Sequence, residues 1–353
     1  MRSARPAARW PERALAQRES RAASDPQSPT DDLAGGDSAA TGCDGCGAGR
    51  TDTMRRDLGS LEARARAMVV ARAVMARGHM RIFRYTVVRI VVAAVPICAL
   101  VVIGGAWLGG LPGMLVQTVG AIALYAGYVR LVERRRLDEL AGARAVPELV
   151  AGVALGAALF AATIGALWVL GAATVVRVGD WNGAGWMAVA AIGAAVLEEI
   201  VMRAILFRLV ERSLGTWSAL GVSAALFGAV HAFNHGATVV STLAIALEAG
   251  VLLAATMVLT RRLWLALGTH AAWNFTEGGV FGASVSGGTA HGLFASRFDG
   301  PPLVTGGEFG PEASIVAVAI CLAAGVAMLV VASRRGRFVA PRWRRAQATP
   351  ATT

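Results

Sequence analysis

The chain has 353 residues, 55% of them hydrophobic and only 16% charged, with a mean hydropathy of +0.55. That balance excludes an ordinary soluble domain and points to a polytopic membrane protein. The net charge of +11 does not signal nucleic acid: the cations are all arginine, with no lysine, and they gather in the N-terminal arm, in short loops and in the tail, as in cytoplasmic flanks.

Residues 1–57 are rich in Arg, Ala, Ser, Asp, Gly and Pro and have no apolar periodicity, so they are expected to be a disordered arm. Cys43 and Cys46 have metal-like spacing there but lack a second pair, and Cys98 and Cys321 fall in apolar stretches, so no disulfide framework is implied. Residues 58–89, with Arg64, Arg66, Arg72 and Arg77 among Ala, Val and Met, predict a basic juxtamembrane helix. From 90 to 333 the sequence predicts an all-α polytopic membrane bundle. Judged by the roughly 20 apolar residues needed to cross a bilayer, about eight transmembrane helices lie near 90–109, 111–130, 149–170, 187–209, 217–233, 239–259, 263–275 and 314–331, the seventh short. Residues 334–353 form a basic tail.

Arginine placement tests that count. Arg81, Arg84 and Arg89, then Arg134–Arg136 with Arg144, then Arg208 and Arg212, Arg261 and Arg262, and Arg334 and Arg335 fall at every second boundary. The alternate connections carry few cations, so both termini are expected to be cytoplasmic, with the Gly-rich loop 278–311 on the far side. The all-arginine usage reads as the codon bias of a GC-rich genome, hence a bacterial cytoplasmic membrane.

Three polar groups interrupt these apolar spans. In the fourth span Glu198 and Glu199 are adjacent, and Arg203 shares a helical face with Glu199 at i,i+4 spacing. Glu199 therefore has a cation to pair with and Glu198 does not; a carboxylate so placed is what a general base requires. The fifth span ends in Phe227-x-x-x-His231 and the seventh contains His270-x-x-x-Asn274, each pair on one helical face. Counted at 1.5 Å per residue from the cytoplasmic boundaries, Glu198 lies at roughly 20 Å, His231 at about 24 Å, His270 at about 12 Å and Asn274 at about 18 Å, so one cavity can hold them all. Singly, each is an interhelical hydrogen-bonder as readily as a functional group. Two carboxylates, an arginine, two histidines and an asparagine on three spans indicate function. Glu248 is a further carboxylate at membrane depth, expected to line the same cavity or to pair with Arg203. His235 is expected to be an exposed rim residue past a helix end, and Glu277 a structural or rim residue at the outer end of the seventh span.

The order EExxxR, FxxxH, HxxxN, each on its own apolar helix, resembles the CPBP family, the Abi or CAAX protease type, over about residues 184–277. Each motif alone is short; the three in order are specific. The resemblance implies an intramembrane endopeptidase. In it Glu198 with His231 would activate a water, His270 and Asn274 would bind the developing oxyanion, and Glu199 and Arg203 would support Glu198. Phe227 and Glu248 would face the substrate. It leaves the cofactor open. Glu198, His231 and His270 are a set that zinc accepts, and the same residues fit a glutamate-activated water with no metal. The expected partners are a membrane-anchored or lipidated peptide or protein and the lipid bilayer, with no nucleic acid. Two further readings stay open: a proton-coupled transporter, and a non-catalytic scaffold or immunity protein of the same fold.

Overall fold

A helix built from Val, Ile, Ala and Leu on every face has nothing to hide from lipid, and that is what Thr86–Leu108 (α1) is. Val87, Val91, Val95, Val102, Ile103 and Trp107 stay exposed along it. In water such a surface would be an aggregation hazard; in a bilayer it is the required one. The computed structural model describes residues 85–178 and 181–347, all within the unit that begins at Phe83. The predicted disordered arm 1–57 and all but the end of the predicted helix 58–89 lie outside the described residues, as do residues 348–353 of the tail.

The element order is helical throughout, apart from one strand pair. After α1 come Gly110–Gly127 (α2), Ala145–Val169 (α3), Ala173–Val178 (β1), Trp181–Glu199 (α4), Arg208–Leu214 (α5), Thr216–His231 (α6), Val239–Ile245 (α7), Val251–Thr260 (α8) and Trp264–Asn274 (α9). Phe294–Phe298 (β2), Pro302–Thr305 (α10), Ile315–Arg334 (α11) and Arg342–Gln347 (α12) complete the chain. Among the described residues, five stretches are long and apolar enough to cross a membrane: Thr86–Gly104, Gly110–Glu133, Asp138–Val169, Val239–Thr260 and Ile315–Arg334. The other three predicted spans are helical too, but they hold the polar motifs. Two of them, α6 at 16 residues and α9 at 11, are shorter than a full crossing needs.

Among the described residues, four π-helical segments break the α-helical periodicity. Tyr128–Glu133 extends α2, Ile200–Phe207 joins α4 to α5, Ala246–Gly250 joins α7 to α8, and Phe275–Val280 extends α9. The second runs through the middle of the bundle, and Ile200, Met202, Arg203, Ala204, Ile205, Leu206 and Phe207 are all buried on it. The strands, not anticipated from sequence, tie the two loops on either side of the polar helices together. β1 pairs antiparallel with β2, Ala173 opposite Phe298 and Val178 opposite Phe294, with a bulge between Val175 and Arg177.

Small residues set how closely the site-bearing helices approach. Gly152 and Gly156 on α3 press against α9 so tightly that a Cβ at Gly156 would sit 2.1 Å from the Thr269 carbonyl oxygen. Gly268 returns the contact, where a Cβ would meet the Leu149 oxygen at 2.4 Å. This is small-xxx-small packing, which stands in for hydrophobic drive inside lipid. Gly228 on α6 does the same against Thr242 of α7, so α6 and α9 are both held at backbone contact distance from their neighbours.

The boundary arginines gather with acidic partners at one end of the bundle. Arg89 pairs with Glu133 at 3.0 Å; Arg135 reaches Glu133 and Glu139; Arg208 reaches the same two at 2.9 and 3.2 Å. Arg261 pairs with Glu211, and Arg262 with Glu148 in the first turn of α3. Four of the five arginine clusters predicted to share a side therefore meet through contacts.

Candidate active site

Glu198 and Glu199 are the last two residues of α4, and the chain widens into the π segment immediately after them. Glu199 is buried completely and its Oε1 accepts from Arg203 Nη1 at 3.0 Å. Arg203, equally buried, spends its other terminal nitrogen on the Ala249 carbonyl oxygen at 3.1 Å, and its guanidinium lies over the Phe227 ring, 4.4 Å from the centroid. A buried ion pair is tolerable only when further hydrogen bonds and ring contacts hold both charges, as here. Arg203 does not pair with Glu248, the alternative expected from sequence. The π segment turns it toward the carbonyl of the next residue along, Ala249, instead.

Two imidazoles approach Glu198 from separate helices. His231, at the C-terminal end of α6, directs Nδ1 at the Phe227 carbonyl oxygen, 2.7 Å away. A carbonyl only accepts, so Nδ1 carries the proton and Nε2 is left facing the carboxylate, 3.9 Å from Glu198 Oε2. His270 on α9 puts Nδ1 3.0 Å from Glu199 Oε1 and Nε2 3.9 Å from the same Glu198 oxygen. Glu199 Oε1, which accepts from Arg203, accepts from His270 Nδ1 as well. Phe227 packs against both rings, at 4.7 and 6.1 Å between centroids. At 3.9 Å neither Nε2 hydrogen-bonds Glu198 directly.

A cavity of about 200 Å³ opens beside these groups, and Glu198, Phe227, His231, Glu248, His270 and Asn274 all line it. Glu199 and Arg203 stand behind the lining. Asn274 makes no side-chain hydrogen bond among the described residues, which leaves its amide available to the cavity. His235 is exposed beyond the end of α6, as expected.

The wall has other members that sequence reasoning did not single out: Trp273, whose buried indole N–H has no acceptor, and Val285, Ser286 and Glu312 from the long loop. Glycine geometry was the available signal. Gly287 and Gly310 have φ of 80° and 126°, and a Cβ would meet the His235 oxygen at 1.9 Å and the Ser284 oxygen at 2.1 Å respectively. The loop is thereby pressed onto the cavity mouth, and Glu312 enters on the turn that Ser314 caps as the start of α11. Of the two roles expected for Glu277, structural or rim, the rim is excluded. The residue is completely buried, because this loop covers the end of α9 that the sequence leaves open.

Among the described residues, no three His, Cys, Asp or Glu side chains come together as a metal-ligating group. Glu198, His231 and His270 share one oxygen at 3.9 Å, while the second nitrogen of each ring is engaged by the protein. Both Nε2 atoms thus face Glu198; the set would hold a zinc ion, which would polarise a water there, and it equally suits a water activated by Glu198 alone, the route followed below.

Residues 180–276 match the family described as type II CAAX prenyl endopeptidase Rce1-like. No curated protein and no solved structure gives a match. The matched stretch begins just before α4 and ends two residues after Asn274, so it contains every motif residue but not the long loop. That match covers little more than a quarter of the chain and is consistent with the CPBP or CAAX protease family.

Proposed function

We propose that the protein hydrolyses a peptide bond of a membrane-anchored or lipidated substrate inside this cavity, with Glu198 as the general base. The observation that carries the reading is the division of labour between the adjacent glutamates. Glu199 is committed to Arg203 and His270, whereas Glu198 faces the cavity with two imidazole nitrogens 3.9 Å from one oxygen and no arginine in contact.

In the proposed sequence a water gives one proton to Glu198 and directs the other at the lone pair of His231 Nε2, which orients it. The water oxygen bonds to the scissile carbonyl carbon, and the charge moves to the carbonyl oxygen. That oxyanion accepts hydrogen bonds from the Asn274 amide and from His270 Nε2. Because His270 Nδ1 already donates to Glu199, Nε2 can donate only in the imidazolium form, with Glu199 as its counter-ion. Collapse breaks the C–N bond, and Glu198 returns its proton to the leaving amine. Oxyanion donors of this kind contribute about 3–4 kcal/mol of barrier lowering each in other hydrolases.

The reading extends to a bacterial cytoplasmic membrane with both termini on the cytoplasmic side, supported by the arginines clustered at one end of the bundle. The test compares membrane proteomes of cells making the native protein or Glu198→Gln. A precursor that accumulates in the variant and is cleaved by purified native protein supports the peptidase. If no peptide bond differs, the non-catalytic scaffold is the better description. Exhaustive chelation of purified protein, checked by elemental analysis, should leave cleavage unchanged.

A further inference from the structure

Beyond the motif residues, two carboxyl groups line the cavity, those of Glu248 and Glu312, and a third, Glu277, is buried beside Glu312. Glu248 stands in the π segment between α7 and α8, Glu277 in the π segment after α9, and Glu312 on the short turn before α11. All are at most 3% exposed. Glu312 neighbours both of the others. Glu312 Oε1 is fixed by the Ser286 backbone N–H at 2.8 Å and hydroxyl at 2.7 Å.

No arginine or histidine lies within ion-pairing distance of any of the three among the described residues. The buried Arg203 is held by Glu199, the Ala249 carbonyl and the Phe227 ring, and makes no ion pair with any of the three. Glu248 Oε2, although buried, has no hydrogen-bond partner, and its residue lines the cavity together with Glu312 and Ser286. The three carboxyls do not form a metal-ligating group either. A buried carboxyl oxygen with no donor is costly alone and favourable beside a cation, which also draws the group to its carboxylate form.

We propose that the part of the cavity framed by Glu248, Glu312 and Ser286 is a subsite for a cationic group, an ammonium or guanidinium that the substrate carries close to the bond cleaved. The word substrate rests on the peptidase reading above; the cation rests on the carboxyl geometry alone. A basic side chain seated there would hold the backbone beside Glu198, which shares the same cavity. Selectivity for Arg or Lys near the scissile bond follows.

Two measurements on the full-length protein in detergent or liposomes test this separately. In the first, hexylguanidinium and its uncharged isostere hexylurea are titrated as probes. The guanidinium should bind at least about tenfold more tightly. Glu248→Gln should weaken it about thirtyfold, while Glu198→Gln leaves it within about threefold. Glu312→Gln, which keeps an oxygen for Ser286, is the second variant should Glu248→Gln fail to fold. Equal affinity for the two probes overturns the subsite. So does loss of binding in Glu198→Gln with retention in the other two, because the cation then sits at the proposed base. In the second, peptides released from membranes by the native protein but not by Glu198→Gln are sequenced. Enrichment of Arg or Lys at one fixed position, flattened in Glu248→Gln, supports the subsite, and Glu198-dependent cleavage without that preference overturns it. Absence of any Glu198-dependent cleavage defeats the peptidase reading instead, and the probe titration then decides the cation site by itself.

Discussion

Two sets of buried charges occupy this bundle, and they are used in opposite ways. At the arginine-rich end, Glu133, Glu139 and Glu211 each face guanidinium groups from other helices, so the charges act as clamps between helix ends. At the cavity, Glu198 and Glu248, with Glu277 behind the wall, have no arginine in ion-pairing contact, and only Glu199 is clamped in the first manner. A charge that is paired holds the fold; a charge left unpaired in a low-dielectric wall is available for chemistry or for a ligand. The single pair Glu199–Arg203 joins the two uses, since it is clamped like the first set and orients His270 for the second.

Removing a group from each set should therefore give opposite phenotypes. The largest expected effect is on turnover: Glu198→Gln should lower the cleavage rate by about 10³-fold or more while leaving the thermal midpoint near that of the native protein. Arg208→Ala should do the reverse. It strands Glu133 and Glu139 without one of their shared cations, and loss of one partner from a buried ionic cluster costs roughly 3–5 kcal/mol, read as a fall in the denaturation midpoint. If Glu198→Gln destabilises as much as Arg208→Ala, the distinction between the sets fails.

Asn274→Ala comes next. It removes one proposed oxyanion donor and no hydrogen bond that holds the fold, so the rate should fall about 10²-fold with little change in substrate affinity. A change in affinity alone would instead make Asn274 a substrate-positioning group.

The sequence allowed much of this to be read, and the reasons are physical. Apolar runs and arginine boundaries are dictated by the bilayer, so all eight helical stretches and the shared end of the arginines were legible. The i,i+4 spacings likewise placed Glu199 with Arg203, because Arg203 is long enough to bridge a π turn as well as an α turn. Glu248 was less tractable. A 100° periodicity assigns its face only if the helix is regular, and it lies within a π segment that shifts the register. The loop was least legible: Ser286, Glu312 and the burial of Glu277 depend on contacts between residues far apart in sequence, announced only by glycines whose φ values no sequence displays.

Glycine at the α3–α9 contact gives a prediction on a different footing, since it concerns backbone approach rather than charge. A methyl group at Gly156 would fall 2.1 Å from the Thr269 oxygen, and Thr269 precedes His270. The helices must separate to admit it, at a cost of about 1–3 kcal/mol. Gly156→Ala should therefore lower stability modestly and, by moving His270 relative to Glu198, lower the rate as well. Neither set of charges is altered.

The smallest effect belongs to a pair that resembles the clamps but is more open to solvent. Arg262 meets both oxygens of Glu148, with side chains 28% and 13% exposed. The pairing raises the tendency of Arg262 to stay protonated, with the hydrogen bond to Glu148 as the leading cause. Water competes for both groups, so Glu148→Gln should cost no more than about 1 kcal/mol, and less as salt is raised. A loss comparable to that of Arg208→Ala would mean that burial does not govern how the clamps at this end are ranked. The contrast between the two charge sets would then have to rest on pairing alone.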